Sequence, residues 1–148
     1  MDIPTDIPAK GARALVHVPL WVLTLLVFVA VKAWQRWRFK MRIRMARISV
    51  AELVDLLRMQ VKVAILDARS ADRRERTGWI PGSVWVSDVA QLALGPYEQV
   101  VVYCDCPNDA TAALIAKQLQ ARGVAHVRPL AGGLDAWLKN GGLIEGLA

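Results

Sequence analysis

The most reactive side chains in the sequence are two cysteines that are separated by one residue. Cys104 follows an apolar, β-branched run typical of a buried strand, and Cys106 lies just ahead of a helix-forming segment. A thiol at a strand end and under a helix N-terminus is favoured as a thiolate, because the helix end carries about half a positive charge. We therefore predict a loop that handles sulfur. The loop consists of Cys104, Asp105, Cys106, Pro107, Asn108, Asp109 and Ala110.

The chain of 148 residues has only these two cysteines, and their spacing argues against two common structural uses. A disulfide between positions i and i+2 is strained, because the bond requires Cα atoms about 4.4–6.8 Å apart with restricted dihedral angles. A zinc site requires about four ligands, and the sequence adds only His17 and His126 to the cysteines. We expect neither a metal nor a cofactor. A plain role as buried core thiols stays open.

The net positive charge of the chain lies in its N-terminal third. Residues 1–48 hold nine basic and two acidic residues, whereas residues 49–148 hold ten basic and eleven acidic residues. A nucleic-acid-binding domain carries a basic face of its own, and the C-terminal part has no such excess. We therefore expect no nucleic acid partner.

Residues 14–31 form an apolar run without a formal charge. As a helix, this run spans roughly 27 Å, close to the thickness of the hydrocarbon core of a bilayer. Extending it to Trp34, we predict a transmembrane helix at residues 14–34 after a short polar tail at residues 1–13. The lipid bilayer is thus an expected partner. The alternatives are a cleaved signal peptide and a buried helix of a soluble protein.

Basic residues flank this run mainly on its C-terminal side. Seven follow it within residues 32–47, and only Lys10 and Arg13 precede it. By the positive-inside rule, the N-terminus lies outside and the C-terminal domain lies in the cytoplasm, at the inner membrane. A cleaved signal peptide would require the C-terminal part to be exported, and a basic flank of this kind opposes that export. The basic juxtamembrane segment, residues 35–47, has both helical and, at residues 38–45, strand-like spacing; we favour a helix that continues from the membrane.

The remaining residues, 48–148, alternate strand-like and helix-like segments. Ser49 and Glu52 form a capping box, residues 61–66 resemble a buried strand, and the highly charged residues 70–77 predict an exposed loop. Further strands are predicted at residues 84–86, 98–103 and 125–130, and helices at 87–92, 109–120 and 133–139. This alternation predicts an α/β fold with a parallel sheet. Ligands bind at the carboxyl ends of such strands, where Asp67, Arg69 and Cys104 fall.

Four ordered segments resemble those of rhodanese-type domains. They are Leu-Asp-Ala-Arg at residues 66–69, Gly-Trp-Ile-Pro-Gly-Ser at 78–83, Val-Val-Val-Tyr-Cys at 100–104 and Leu-Ala-Gly-Gly-Leu-Asp-Ala-Trp at 130–137. The resemblance covers roughly residues 48–142. It implies an α/β fold in which a parallel sheet is flanked by helices on both faces. In this chain, we expect one transmembrane helix before that fold. The resemblance also implies a sulfurtransferase in which Cys104 carries sulfane sulfur as a persulfide in a ping-pong cycle.

The loop departs from the family pattern in its charge. Asp105 and Asp109 oppose ionisation of a nearby thiol and repel a dianionic donor such as thiosulfate, although Arg69 could offset one of them. We therefore expect the donor to be a persulfide, a polysulfide or a protein persulfide, with a thiol as acceptor. Trp79 stands where the family usually has His. Ala110 replaces the arginine with which related phosphatases and arsenate reductases hold an oxyanion, which argues against those activities.

Two hypotheses on function follow from these residues. The first is a membrane-tethered sulfurtransferase that uses Cys104. The second is a catalytically weak rhodanese-like adaptor or sulfur- or redox-sensing module, in which Cys104 keeps an ordinary thiol pKa of about 8.5. Cys106 is either a resolving thiol that attacks the Cys104 persulfide or a packed loop residue.

Overall fold

The computed structural model of the chain describes residues 19–42 and 44–146. The chain forms two compact units, one reaching Arg38 and the other beginning at Phe39. Helix α1 begins in the first unit and ends in the second. All the strands of the sheet belong to the second unit.

Helix α1 comprises Leu20–Arg42 and begins directly after Pro19, whose fixed φ suits a helix start. Its segment Leu20–Met41 is long and apolar enough to cross a bilayer. Residues 14–18 of the predicted transmembrane segment, His17 among them, lie outside the described residues. The helix interpretation of the basic segment is confirmed as far as Arg42, and residues 44–47 are not helical.

Four parallel strands form the sheet, in the order β2-β1-β3-β4. Their bounds are β1 Val63–Asp67, β2 Val84–Trp85, β3 Gln99–Tyr103 and β4 Val127–Pro129. Asp67 at the end of β1 lies opposite both Tyr103 of β3 and Trp85 of β2. The carboxyl ends of the three strands therefore meet at one edge, as the alternation of segments predicts.

Helices cover both faces of this sheet, so the predicted fold class is confirmed. The helices are α2 Val50–Arg58, α3 Ala71–Thr77, α4 Ala110–Ala121 and α5 Gly133–Lys139, with single 3₁₀ turns at Val89–Gln91 and Pro107–Asp109. Side chains alternate along β3, so that Val100, Val102 and Cys104 pack in the core beside α4. Val101 and Tyr103 pack in the opposite core beside α2 and α5.

Two local predictions are wrong in detail. The charged segment at residues 70–77 is exposed but forms helix α3, because the Ser70 hydroxyl accepts the Arg73 N–H and Asp72 pairs with Arg76 one turn away. The capping box is only half formed. Ser49 caps α2 by accepting the Glu52 N–H at 3.1 Å, whereas the Glu52 carboxylate binds Arg128 at 2.7 Å.

Candidate active site

The cysteine loop leaves the sheet at the end of β3 and turns into α4. Asn108 and Asp109 adopt positive φ angles of 58° and 52° within the loop, and α4 begins at the next residue. Cys104 lies at the base of the loop with 2% of its surface exposed, whereas Cys106 is only half-buried. The loop therefore holds one thiol in the core and presents the other to solvent.

A glycine supports the base of this loop from α5. The Cys104 carbonyl oxygen accepts the Leu134 N–H at 3.1 Å, and a Cβ on Gly133 would lie 1.9 Å from the same oxygen. Gly133 also has a φ of 52°, which disfavours any larger residue. The pair of glycines at residues 132–133 could be explained from sequence as a plain strand-to-helix turn. The structure gives Gly133 a second role, because its missing side chain lets α5 approach the loop.

The two thiols differ in acidity. Burial raises the pKa of Cys104 to about 12, and a hydrogen bond to Cys106 adds to that effect, while the N–H groups of Cys106 and Ala112 act in the opposite direction. Burial also opposes ionisation of Cys106, but hydrogen bonds from Cys104 and Thr111 outweigh it and lower the pKa of Cys106. The Thr111 N–H lies 3.2 Å from Cys106 Sγ.

The predicted depression of the pKa at Cys104 is therefore wrong. The strand end places this thiol in the core beside α4 rather than at the surface, and desolvation outweighs the helix N-terminus. Cys106 is the thiol that ionises first. Its sulfur accepts the Thr111 N–H in the first turn of α4, which stabilises its anion.

Arginines that the sequence analysis did not assign to the site pair with both loop carboxylates. Arg73 of α3 binds Asp105 at 2.8 Å. Arg47 binds Asp109 at 3.1 Å and donates a second hydrogen bond to the Asn108 carbonyl at 2.9 Å. The negative charge of the loop is therefore compensated from two separate segments. No local signal identifies Arg47, which lies 62 residues before its carboxylate partner.

Asp109 occupies the N-cap position of α4 without capping it. Its side chain accepts the N–H of Gly132 at 3.2 Å in addition to Arg47, and 9% of that side chain is exposed. From sequence, either Asn108 or Asp109 could cap this helix; the Asp109 side chain does not, because α5 and the segment before Ile48 compete for its carboxylate. Asp109 instead links three parts of the domain.

Arg69 does not reach the loop. It is buried against Asp67, with contacts of 2.7 and 2.9 Å to the two carboxylate oxygens, and it also donates to Thr77 and to the Gly78 carbonyl. The expectation that Arg69 offsets a loop carboxylate is wrong, because Asp67 two residues earlier captures it. Arg73 of α3 pairs with a loop carboxylate, Asp105, instead.

Asp67 and Arg69 form a buried network with Tyr103 at the carboxyl edge of the sheet. The Tyr103 hydroxyl donates to Asp67 at 2.7 Å, and the Arg69 guanidinium lies 5.4 Å from the Tyr103 ring centre. Burial opposes ionisation of Asp67, but hydrogen bonds from Arg69 and Tyr103 hold its pKa below the usual value. Burial raises the pKa of Tyr103 to about 12. The network packs on the core opposite Cys104 and fixes the ends of β1 and β3.

Trp79 lies in a structural contact rather than beside the cysteines. Its backbone pairs with Glu145 through two hydrogen bonds of 2.8 and 2.9 Å, and the Arg74 guanidinium stacks over its ring at 4.3 Å. This contact ties the C-terminal segment to the turn after α3. The residue that departs from the family pattern therefore has a packing role in this chain.

A cleft of about 410 Å³ opens beside the loop. One wall is formed by residues 105–109, including Cys106, and the other by Gly132 and three residues of α5, namely Asp135, Ala136 and Lys139. Cys104 is not part of the cleft wall. Within the described residues, no group of three or more His, Cys, Asp or Glu side chains could hold a metal ion.

The chain is similar to a known protein family. A family model described as a rhodanese-like domain matches residues 49–140. The chain belongs to the rhodanese-like family. Within the rhodanese-like domain, the matched residues run from the cap of α2 to the end of α5 and include the whole cysteine loop. No curated protein matches the chain.

Solved structures similar to the rhodanese-like domain include sulfur-transferring proteins. The polysulfide-sulfur transferase homodimer of Wolinella succinogenes is 26% identical with a TM-score of 0.60, over 80% of this chain and 89% of that one. A thiosulfate sulfurtransferase from Pseudomonas aeruginosa is 29% identical with a TM-score of 0.59, over 69% of this chain but 19% of that one. A Rhodopseudomonas palustris protein of unknown function, described as a possible tyrosine phosphatase, is 29% identical with a TM-score of 0.56, over 68% and 85%. The family and these neighbours support a general role in sulfur transfer.

Proposed function

We propose that this chain is a membrane-tethered sulfurtransferase that moves sulfane sulfur through a persulfide on Cys104. The observation that carries the proposal is the loop from Cys104 to the first turn of α4. This loop holds Cys104 in the core beside α4, and the N–H groups of Cys106 and Ala112 act to lower the pKa of Cys104, so they favour an anionic sulfur there. Burial also protects such a persulfide from thiols in the solvent.

The donor class follows from the charges around the cleft. Asp105, Asp109 and Asp135 line it together with one cation, Lys139. The first two carboxylates are paired with arginines, so the site is not closed to anions, but it offers no excess of positive charge to a dianion. A persulfide, a polysulfide or a protein persulfide is therefore the proposed donor, and a thiol is the acceptor. Ala110 supplies no guanidinium to hold a phosphate-like oxyanion, which argues against phosphatase chemistry.

The site of action is the cytoplasmic face of the inner membrane. The length and apolar character of α1 support a single membrane anchor, and the basic residues after it favour, by the positive-inside rule, a C-terminal domain in the cytoplasm. Protease treatment of spheroplasts and of inverted vesicles tests this orientation. We expect a C-terminal epitope to be cleaved only in the inverted vesicles, and cleavage in intact spheroplasts would overturn the orientation.

Mass spectrometry of the full chain in detergent tests the sulfur chemistry. We expect glutathione persulfide or polysulfide to add one sulfur atom, about 32 Da, and fragmentation of the loop peptide to locate it on Cys104 after the donor is removed. Thiosulfate should load the protein far more slowly. A protein that gains no sulfur from any of these donors, or a Cys104→Ser/Cys106→Ser variant that gains as much as the natural chain, would refute the proposal.

One observation favours the alternative of a rhodanese-like adaptor or sensor module without turnover. Cys104 is 2% exposed and its pKa is raised to about 12, so this thiol alone is a poor nucleophile at neutral pH. Such a module would load sulfur slowly and would not pass it to an acceptor thiol. The measurement that separates the two functions is the release of sulfur from the loaded protein when glutathione is added.

A further inference from the structure

The proposed function leaves a mechanistic problem at the first step. A thiolate, and not a thiol, attacks a sulfane sulfur. Cys104 is buried and is not part of the cleft wall, whereas Cys106 borders the cleft and is half-buried. A donor that enters the cleft therefore meets Cys106 first.

The surroundings of Cys106 suit an anion. Its sulfur accepts the Thr111 N–H at 3.2 Å in the first turn of α4, a helix of 12 residues, and it accepts a hydrogen bond from the Cys104 thiol. The nearest loop carboxylates, Asp105 and Asp109, are each paired with an arginine. Of the other charged groups along the cleft, Asp135 and Lys139 lie on the opposite wall and have opposite signs.

We propose that Cys106 is the thiolate that takes sulfane sulfur from the donor in the cleft and then passes it to Cys104. This inference rests on the proposed function, because it describes how sulfur reaches the persulfide site. It assigns Cys106 a catalytic role that neither the family position of Cys104 nor the rhodanese-like fold supplies.

Both steps balance without an added oxidant or reductant. In the first, the Cys106 thiolate attacks the terminal sulfur of a persulfide R–S–SH, the S–S bond of the donor breaks, and R–SH leaves with the proton, giving Cys106–S–S⁻. In the second, the Cys104 proton moves to the terminal sulfur, the Cys104 thiolate so formed attacks that sulfur, and the S–S bond to Cys106 breaks. The products are Cys104–S–SH and the Cys106 thiolate.

The acidity order of the two thiols sets the direction of the second step. A thiol of lower pKa leaves faster, and a thiol of higher pKa is the stronger nucleophile once it loses its proton. Cys106 has the lowered pKa and Cys104 the raised one. Sulfur therefore moves inward from Cys106 to Cys104. The two cysteines are separated by a single residue of the same loop.

Initial loading rates of two matched variants test the relay in the full chain in detergent, with glutathione persulfide as the donor at pH about 7. We expect Cys104→Ser to load one sulfur that stays on Cys106, whereas the natural chain holds its sulfur on Cys104. We expect Cys106→Ser to load about tenfold or more slowly, and its rate to rise with pH as Cys104 ionises. The opposite pattern, with Cys104→Ser unloaded and Cys106→Ser at the natural rate, would overturn the relay while leaving the proposed function intact.

Alkylation of the natural chain gives a test that no folding defect can disturb. Iodoacetamide should modify Cys106 about tenfold or more faster than Cys104 at pH about 7, as read from fragment masses of the loop peptide. Equal rates, or faster modification of Cys104, would contradict the relay. A natural chain that takes no sulfur from any donor would instead refute the proposed function, and the relay with it.

Discussion

Replacing Arg47 with alanine tests how the loop charge is compensated. The Asp109 side chain is 9% exposed and that of Arg47 is 31% exposed, so their ion pair lies between a buried and a surface pair. Removing one partner of a buried pair costs about 3–5 kcal/mol and of an exposed pair about 0–1 kcal/mol. We therefore expect Arg47→Ala to lower the free energy of unfolding by about 1–3 kcal/mol. Among the residues that the structure describes, the Gly132 N–H then remains as the hydrogen-bond partner of the Asp109 carboxylate.

Arg73→Ala is the matched control, since its ion pair also neutralises a loop aspartate but is far more exposed, at 58% for Arg73 and 21% for Asp105. Its cost should stay below about 1 kcal/mol. Urea titration of the full chain in detergent, followed by tryptophan fluorescence, measures both. Each variant should also slow the alkylation of Cys106 at pH about 7, because each frees a carboxylate near that thiolate. The reasoning fails if Arg47→Ala unfolds no more easily than Arg73→Ala.

Three further outcomes can be measured by the same titration. Gly133→Ala should lower the free energy of unfolding by about 3 kcal/mol or more, because its Cβ would lie 1.9 Å from the Cys104 carbonyl oxygen. Gly123→Ala, at a φ of 86° with open space around it, should cost only about 1 kcal/mol, and an equal cost would contradict this account of Gly133. Tyr103→Phe should cost about 1–3 kcal/mol, since it removes the hydroxyl that donates to Asp67; no loss would show that this bond contributes nothing. The folded pKa of Asp67 is depressed, so its stabilisation is fully present above the unfolded value of about 3.9 and is lost as the pH falls below it. Asp67→Asn should be less stable at neutral pH and should lack this part of the acid dependence, and an unchanged acid limb in the variant would count against the assignment.

The sheet could be predicted from sequence because its signals are local. Runs of β-branched residues bounded by turn residues mark β1 and β3, and their alternation with helical segments dictates a parallel arrangement. The same pattern predicts that Asp67 and Cys104 lie at one edge of the sheet. Helix α3 was missed because a short charged helix without an apolar face carries no periodic signal, and only Ser70 marks its start.

The charge compensation of the site could not be predicted, because it depends on which groups the fold brings together. The sequence suggests Arg69 as a partner for a loop carboxylate, but Arg69 binds Asp67, which lies two residues before it. Arg47 and Arg73 reach the loop across 62 and 32 residues. Nothing in the sequence around either arginine indicates its partner.

The acidity of the two thiols depends on tertiary burial in the same way. Sequence places Cys104 at a strand end and Cys106 before a helix, and both positions favour a thiolate. The alternation of side chains along β3 turns Cys104 into the core beside Val102 and leaves Cys106 at the cleft. A single residue of spacing therefore separates a thiol of raised pKa from a thiol of lowered pKa.

The central claim is that this loop passes sulfane sulfur to an acceptor thiol. The most direct measurement follows radiolabelled sulfane sulfur from the loaded full chain to glutathione in a single turnover. The account predicts that the label leaves the protein as glutathione persulfide and that the Cys104→Ser/Cys106→Ser variant carries no label to transfer. Label that stays on the protein in the presence of glutathione, or transfer by the variant that lacks both thiols, would contradict it.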